Sequence, residues 1–289
     1  MENNRRFIAG LALALGLCFA APASAQRART PLPAVAKTKA AKKNRDKRIE
    51  SYRQHYLKKK AEGRVGVLSP KKAKAEKEIR DLALKLNAAL KAKPATKPIL
   101  IVLEGMDGAG KSSTIRRLLP AFDGARNVGV EHFGAPEAGT DAVQQVMRYL
   151  QKVPVQGSVT IWDRSWYGPA RYQDDGSIRP SVKGAKEAIR DVRHLEGLLK
   201  NKVEIVKIYL DIGKDRQAKT LGKREALKPE KLGDADYQAY RQHGESRALD
   251  KQIRARTGKA SPWHVVSMND RAAGRKQMLQ ILHKTLIGE

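Results

Sequence analysis

The chain predicts an α/β fold: a five-stranded parallel sheet with helices on both faces. Three observations carry that reading. The 289 residues are 41% hydrophobic, enough for a substantial core, although only 5% are aromatic, so the core must be mostly aliphatic. From Pro98 onward, short β-branched runs alternate with helical patterns, the rhythm of strand–helix–strand units. The residues of chemical interest fall just after the runs, where ligands bind in parallel sheets. The runs place strands at 99–103, 128–133, 159–162, 203–210 and 263–267. Helices are expected at 112–119, 141–151, 182–200, 235–256 and 271–286. No internal repeat is visible.

The segment before Pro98 has a different character. Arg5 and Arg6 precede an apolar run at 7–20 and then Ala21-Pro22-Ala23-Ser24-Ala25. These features predict a signal peptide cleaved after Ala25 and an exported, periplasmic protein. Cys18 lies inside it, so the mature chain would have no cysteine and no disulfide. No other stretch is long and apolar enough to span a bilayer. Residues 27–43, rich in Ala, Pro and Lys, read as a flexible basic linker. A helix at 44–60 is charged nearly all round, with Ile49, Tyr52, Tyr56 and Leu57 as a thin apolar stripe. Ser69-Pro70 marks the start of a second helix, 71–91. Its Ile79, Leu82, Ala83, Leu86 and Leu90 recur at helical spacing and should face the core.

Charge is divided unevenly along the chain. The total is +28, from 58 Lys+Arg against 30 Asp+Glu. Residues 27–97 hold 23 Lys+Arg and 6 Asp+Glu, a net +17, against +10 for residues 98–289. Such an excess calls for a polyanionic partner: nucleic acid, anionic lipid, nucleotide or another polyphosphate. No aromatic-interleaved basic motif supports nucleic acid. The front segment is either a solvated basic helix pair or a polyanion-binding arm.

Two motifs carry chemistry. Gly105-Met106-Asp107-Gly108-Ala109-Gly110-Lys111-Ser112 fits G-x-x-x-x-G-K-[ST] and lies between a strand and a helix. Gly105, Gly108 and Gly110 let the backbone wrap a phosphate at a helix N-terminus. Lys111 reaches the terminal phosphates, and Ser112 offers a hydroxyl to magnesium. Asp107 beside bound phosphate calls for an intervening cation, for which magnesium is the natural candidate. The second motif, Asp163-Arg164-Ser165-Trp166-Tyr167, closes the third strand. Asp163 stands where phosphate-loop enzymes hold magnesium, and Arg164 can neutralise a transferring phosphoryl group. By themselves these two would also read as a salt-bridge pair; the upstream phosphate loop favours the metal.

Gly-Met-Asp-Gly-Ala-Gly-Lys followed by Asp-Arg-Ser-Trp-Tyr-Gly resembles the polyphosphate kinase 2 family, whose members move phosphoryl groups between inorganic polyphosphate and nucleotides. Ala135-Pro136 with Arg148, Lys207 to Leu210 with Gln217 and Arg224, Tyr237 and Tyr240, and Ser261 to Val266 with Asp270 extend the resemblance over roughly residues 70–287. It implies a three-layer phosphate-loop kinase-like fold with a helical lid at about 213–233. The organisation is then signal peptide 1–25, basic arm 26–68 and catalytic domain 69–289.

The resemblance further implies that Asp107, Lys111, Asp163, Arg164 and Arg224 are catalytic. Asp107, Ser112 and Asp163 would hold magnesium, with manganese as the alternative ion. Gly105, Gly108, Gly110, Lys111, Ser112, Ser113, Arg116 and Lys223 would bind phosphate or nucleotide. The substrates would be polyphosphate and AMP, ADP or GDP, and the chain would form a homo-oligomer. Ser112-Ser113 departs from the family's Gly-Gly and looks more like a thymidylate kinase's loop. Thr220 falls where an arginine is common, with Lys219 and Lys223 close by. Glu230-Lys231-Leu232-Gly233 stands in for a tryptophan-lysine element. Two other readings stay open: an ATP-dependent nucleotide kinase, and an exported binding protein that captures polyphosphate or nucleotide. His132, His194 and His264 read as core or strand-end residues rather than phosphohistidine carriers.

Overall fold

The structure, a computed structural model, describes residues 46–123, 127–134, 142–173, 179 and 182–288. The predicted signal peptide at 1–25, the predicted linker at 27–43 and the Ala135-Pro136 segment lie outside the described residues.

Five strands form one parallel sheet: β1 (Ile99–Gly105), β2 (Asn127–His132), β3 (Ser158–Asp163), β4 (Glu204–Asp211) and β5 (Trp263–Ser267), in the spatial order β2-β3-β1-β4-β5. β1 is central, and all seven of its residues are buried. Successive side chains point to opposite faces, so β1 feeds two cores at once. Ile99, Ile101 and Leu103 join a core with Ile79, Leu86 and Leu90 of α2 (Pro70–Ala92) and Met278 and Leu282 of α10 (Arg271–Ile287). Leu100 and Val102 join the other, with Val192 and Leu195 of α6 (Lys186–Leu199) and Leu249 and Ile253 of α9 (His243–Thr257). Burial on both faces is why β1, β3 and β4 carry apolar runs rather than an alternating pattern, whereas the edge strands β2 and β5 are only partly buried. The predicted inward face of α2 is the observed one: Ile79, Ala83, Leu86 and Leu90 are buried. Pro70 is its first residue, while Ser69 makes no side-chain cap bond.

Two predicted helices are interrupted. The 182–200 pattern begins as a 3-10 turn, Val182–Ala185, and becomes α-helical only at Lys186. Gly184 within that turn lowers the cost of the irregular start. The 235–256 pattern is two helices, α8 (Asp234–Arg241) and α9, broken at Gln242. The physical reason is a change of partner. Ala239 and Tyr240 are the buried residues of α8, and Tyr240 packs with Ala218 and Leu221, whereas Leu249 and Ile253 pack under the sheet. One straight helix cannot serve both.

The predicted lid segment is α7 (Lys214–Leu227) followed by a 3-10 turn, Pro229–Lys231. The charged helix of the front segment, α1 (Lys47–Ala61), lies directly on it. Ile49 is buried with Ala218, Leu221 and Tyr240 in a small third core.

Two ion pairs are buried beneath the sheet. Lys207 donates to Glu196 at 2.7 Å, and Arg171 donates to both carboxylate oxygens of Asp250 at 2.9 and 3.0 Å. Each has further partners: the Lys207 ammonium reaches the Thr257 carbonyl at 2.6 Å, and Tyr209 donates to Asp250 at 2.6 Å. These additional hydrogen bonds help offset the desolvation of buried charge, although the Nε of Arg171 is buried without a hydrogen-bond partner.

Candidate active site

β1 ends at Gly105, where φ is 146°. A Cβ there would lie 2.5 Å from the Leu210 carbonyl oxygen, so only glycine lets the chain leave β1 against β4. The loop then passes through Gly108 and Gly110 at φ 87° and 91° into α3 (Lys111–Leu118). This is the strand–loop–helix geometry that presents backbone N–H groups to an anion. Lys111 is buried, and its ammonium donates to the loop carbonyls of Gly105 at 2.6 Å and Met106 at 3.4 Å. Burial pushes its pKa down and Arg164 adds to the effect, while Asp107, Asp163 and Glu104 oppose it. An anionic ligand would relieve that strain on the charged form.

β3 ends at Asp163, whose carboxylate accepts from the Ser112 hydroxyl at 2.9 Å. The Nδ1 of His132, at the end of β2, lies 3.2 Å from the same carboxylate oxygen. The loop serine and the strand-end aspartate are thus brought together as the sequence predicted. Arg164 follows at φ 68°, the sole non-glycine positive φ among the described residues. That left-handed turn is costly for a side chain with a Cβ, and strain of this kind concentrates at functional sites. The turn accompanies an ion pair between the Arg164 guanidinium and Asp107. Asp163 and Arg164 are therefore not partners. The cation beside Asp107 in this arrangement is a guanidinium. Burial alone would raise the Asp107 pKa, but Arg164, Lys111 and Arg171 outweigh it and hold the carboxyl at about 2.

These groups stand at the end of a cleft of about 830 Å³. Eleven Lys or Arg side chains and two carboxylates, Asp107 and Asp163, line it among the described residues. Of the expected site residues, Ser112, Ser113, Arg116, Lys223 and Arg224 are all on its wall; Gly105 is not, since it lies beneath the loop and supplies a carbonyl to Lys111. Arg224 pairs with Asp236 at 3.0 Å, and Lys223 lies over the Tyr56 ring. Ser113 donates to the Gly110 carbonyl at 2.9 Å and accepts from Arg275 at 3.0 Å, so the second serine ties the loop to α10.

Arg271, Arg216, Lys72, Lys59, Tyr56 and His55 also line the cleft and were not singled out as site residues. Arg271 donates to the Gly108 carbonyl and to Thr220, both at 2.9 Å. The charge missing at Thr220 is thus supplied by the first residue of α10. Burial, with Arg216 and Arg224 close by, brings the Arg271 pKa down to about 10. No local pattern marks Arg271; its place after the Asp270 N-cap was the one available signal.

The donor set fits magnesium or manganese. A hydroxyl and a carboxylate oxygen stand 2.9 Å apart at a helix N-terminus, both hard ligands. No group of three His, Cys, Asp or Glu side chains among the described residues forms an all-protein cage. Magnesium seldom needs one, because phosphate and water complete its shell.

The family model described as polyphosphate kinase 2 matches residues 69–288. The chain belongs to the polyphosphate kinase 2 family. It is 32% identical over 199 residues to an AMP/ADP-polyphosphate phosphotransferase of Meiothermus ruber, covering 66% of this chain and 72% of that protein. It is 30% identical over 182 residues to ADP-polyphosphate phosphotransferase 3 of Rhizobium meliloti, covering 61% and 63%. A polyphosphate:AMP phosphotransferase of Pseudomonas syringae pv. tomato is 28% identical over 193 residues, covering 65% and 38%. The chain thus spans between about two fifths and two thirds of the length of these last two relatives. The fold is shared with the crystal structure of a polyphosphate kinase 2 from Arthrobacter aurescens TC1 at a TM-score of 0.59 and 24% identity, covering 75% of this chain and 77% of that one. In this family member the five-stranded parallel α/β sheet is as expected. The α1 helix, at 47–61, lies ahead of the matched residues.

Proposed function

We propose that this chain is a magnesium-dependent phosphotransferase that moves phosphoryl groups between inorganic polyphosphate and a nucleoside mono- or diphosphate. One observation carries the reading: a phosphate loop joined through Ser112 to the strand-end Asp163 opens into a cleft lined, among the described residues, by eleven cations. So large an excess of positive charge suits a linear polyanion better than a single nucleotide. The names of the relatives support it.

An oxygen of the acceptor phosphate attacks the terminal phosphorus of polyphosphate in line. A new P–O bond forms as the bridging P–O bond breaks, and the shortened chain leaves with the electron pair. Positioning and charge neutralisation supply most of the catalysis, and no protein nucleophile is required. Lys111 exchanges its loop carbonyls for the transferring phosphate. Arg164 and Arg224 neutralise charge on the phosphoryl and the leaving chain, with Arg116, Ser113 and Lys223 along the wall. Asp163 and Ser112 would hold magnesium, with Asp107 the further carboxylate; the ion, when bound, neutralises charge on the bridging oxygens.

The test is a matrix of AMP, ADP and GDP with polyphosphate, with and without magnesium, manganese and chelator, and an ATP arm beside it. Polyphosphate-driven, chelator-sensitive transfer is expected. Transfer driven by ATP alone, or binding without turnover, would overturn the reading. The signal-like residues 1–25 support export, and a homo-oligomer is proposed as the assembly. Amino-terminal sequencing of periplasmic material should begin at Gln26. No described helix is long and apolar enough to cross a membrane.

A further inference from the structure

α1 is joined to the lid helix along its length. Gly222 of α7 is the notch: a Cβ there would meet the Ile49 carbonyl oxygen at 2.6 Å, Tyr52 Cβ at 2.7 Å and the Arg53 nitrogen at 2.8 Å. Around it, Tyr52 donates to Asp215 at 2.8 Å and Tyr240 donates to Asp46 at 3.0 Å. The two helices also match in register. Tyr52 and Tyr56, four apart on α1, lie beneath Lys219 and Lys223, four apart on α7, at 5.7 and 5.6 Å from ring centroid to ammonium. Spacing by four keeps each pair on one helix face, so this is a built interface rather than a loose basic tail.

The α1 surface beside that interface faces the phosphate cleft, where His55, Tyr56 and Lys59 form part of the wall with Lys72 from the start of α2. Among the described residues no carboxylate lies within 4.0 Å of the ammonium of Lys59, Lys72, Lys219 or Lys223. Lys219 and Lys223 are held below the usual lysine pKa, by burial first and then by neighbouring cations that include Arg216 and Lys72. A cluster of mutually repelling cations with aromatic backing, opening onto a phosphate site, is poised for a further anion.

We infer that α1 is a permanent part of the polyphosphate site: Lys59, together with Lys72 and the tyrosine-backed Lys219 and Lys223, binds phosphate residues of the chain beyond those at the phosphate loop. This rests on the phosphotransferase reading above and extends it to the choice of substrate length. Long chains reach these cations and short ones do not, so α1 favours long polyphosphate. The front segment's charge then belongs in part to the active site, although the family match begins only at residue 69.

The experiment compares Lys59→Ala with Lys58→Ala in the full chain. Both remove one charge from α1, but Lys58 is exposed and is not part of the cleft wall. For Lys59→Ala the KM for long-chain polyphosphate should rise about three- to tenfold, the usual worth of one charge-assisted phosphate contact. The KM for tripolyphosphate, the nucleotide KM and kcat should each stay within about twofold of the wild type. Lys58→Ala should resemble the wild type throughout. Gly222→Leu, which unseats α1 without touching a charge, should reproduce the long-chain defect, with thermal unfolding followed to show that the sheet domain persists. Equal behaviour of Lys58→Ala and Lys59→Ala, or a KM rise shared by tripolyphosphate or the nucleotide, overturns the assignment. Calorimetric titration with long-chain polyphosphate keeps the two proposals apart. If the wild type binds but does not turn over, the phosphotransferase reading falls, and the ratio of dissociation constants between the two lysine variants still decides the role of α1.

Discussion

The ion pair between Arg164 and Asp107 can be tested by its energy. Replacing Arg164 by Met keeps a Cβ at φ 68° and so leaves the backbone strain in place while removing the guanidinium. Depression of the Asp107 pKa from 3.8 to about 2 corresponds to at most about 2.4 kcal/mol. The carboxylate keeps 30% exposure, and solvent screening brings the expectation down to about 1–1.5 kcal/mol. A cycle of wild type, Arg164→Met, Asp107→Asn and the double variant, by urea unfolding at pH 7, should return that coupling energy. Its pH course has a fixed sign. A carboxyl with a lowered folded pKa contributes fully above its unfolded value near 3.8, and the contribution fades as pH falls towards about 2. Arg164→Gly should be about 1 kcal/mol more stable than Arg164→Met, because glycine adopts the left-handed turn without the Cβ penalty. A coupling below about 0.3 kcal/mol at pH 7, or one as large at pH 2 as at pH 7, would refute the reasoning.

Other expectations concern the loop and the core. Lys111→Ala and Asp163→Ala should each lower the rate of phosphoryl transfer by about two orders of magnitude or more, measured as nucleotide formed from polyphosphate, and full activity in either would remove the assignment. Gly105→Ala sets a Cβ 2.5 Å from the Leu210 carbonyl oxygen; a loss of about 2 kcal/mol or more, seen as a lower melting temperature, is expected, and wild-type stability would contradict the loop geometry. Lys207→Met leaves Glu196 buried at 1% exposure without its cation, at a cost of about 3–5 kcal/mol; Lys207→Met with Glu196→Leu should recover most of it, and no recovery would mean that the pair is not the source.

Much of the fold was legible because it rests on local chemistry. The apolar runs of β1 and β4, the glycines of the loop and the Ser69-Pro70 start of α2 each act within a few residues, and the strand–loop–helix order follows from them. Two helix boundaries were not legible. The break at Gln242 and the 3-10 start at Val182 depend on which distant surface each half packs against, and hydrophobic periodicity cannot distinguish partners. In the site, Ser112 and Asp163 could be paired from the sequence because each stands at a strand–helix junction of one sheet edge. The partner of Asp107 could not: its place beside bound phosphate called for an intervening magnesium ion, whereas the left-handed turn at Arg164 accompanies an ion pair between its guanidinium and Asp107.

The sequence by itself determined the family, the parallel sheet, the phosphate loop and the sign of the cleft's charge, since all four are written in short-range spacing and composition. Tertiary structure alone decided where the charge stands. Arg271 fills the place beside Thr220 from the start of α10, and Lys59 joins the cleft because Gly222 lets α1 lie against α7. Both contacts join residues about fifty or more positions apart, and only folding brings such side chains within reach of one anion.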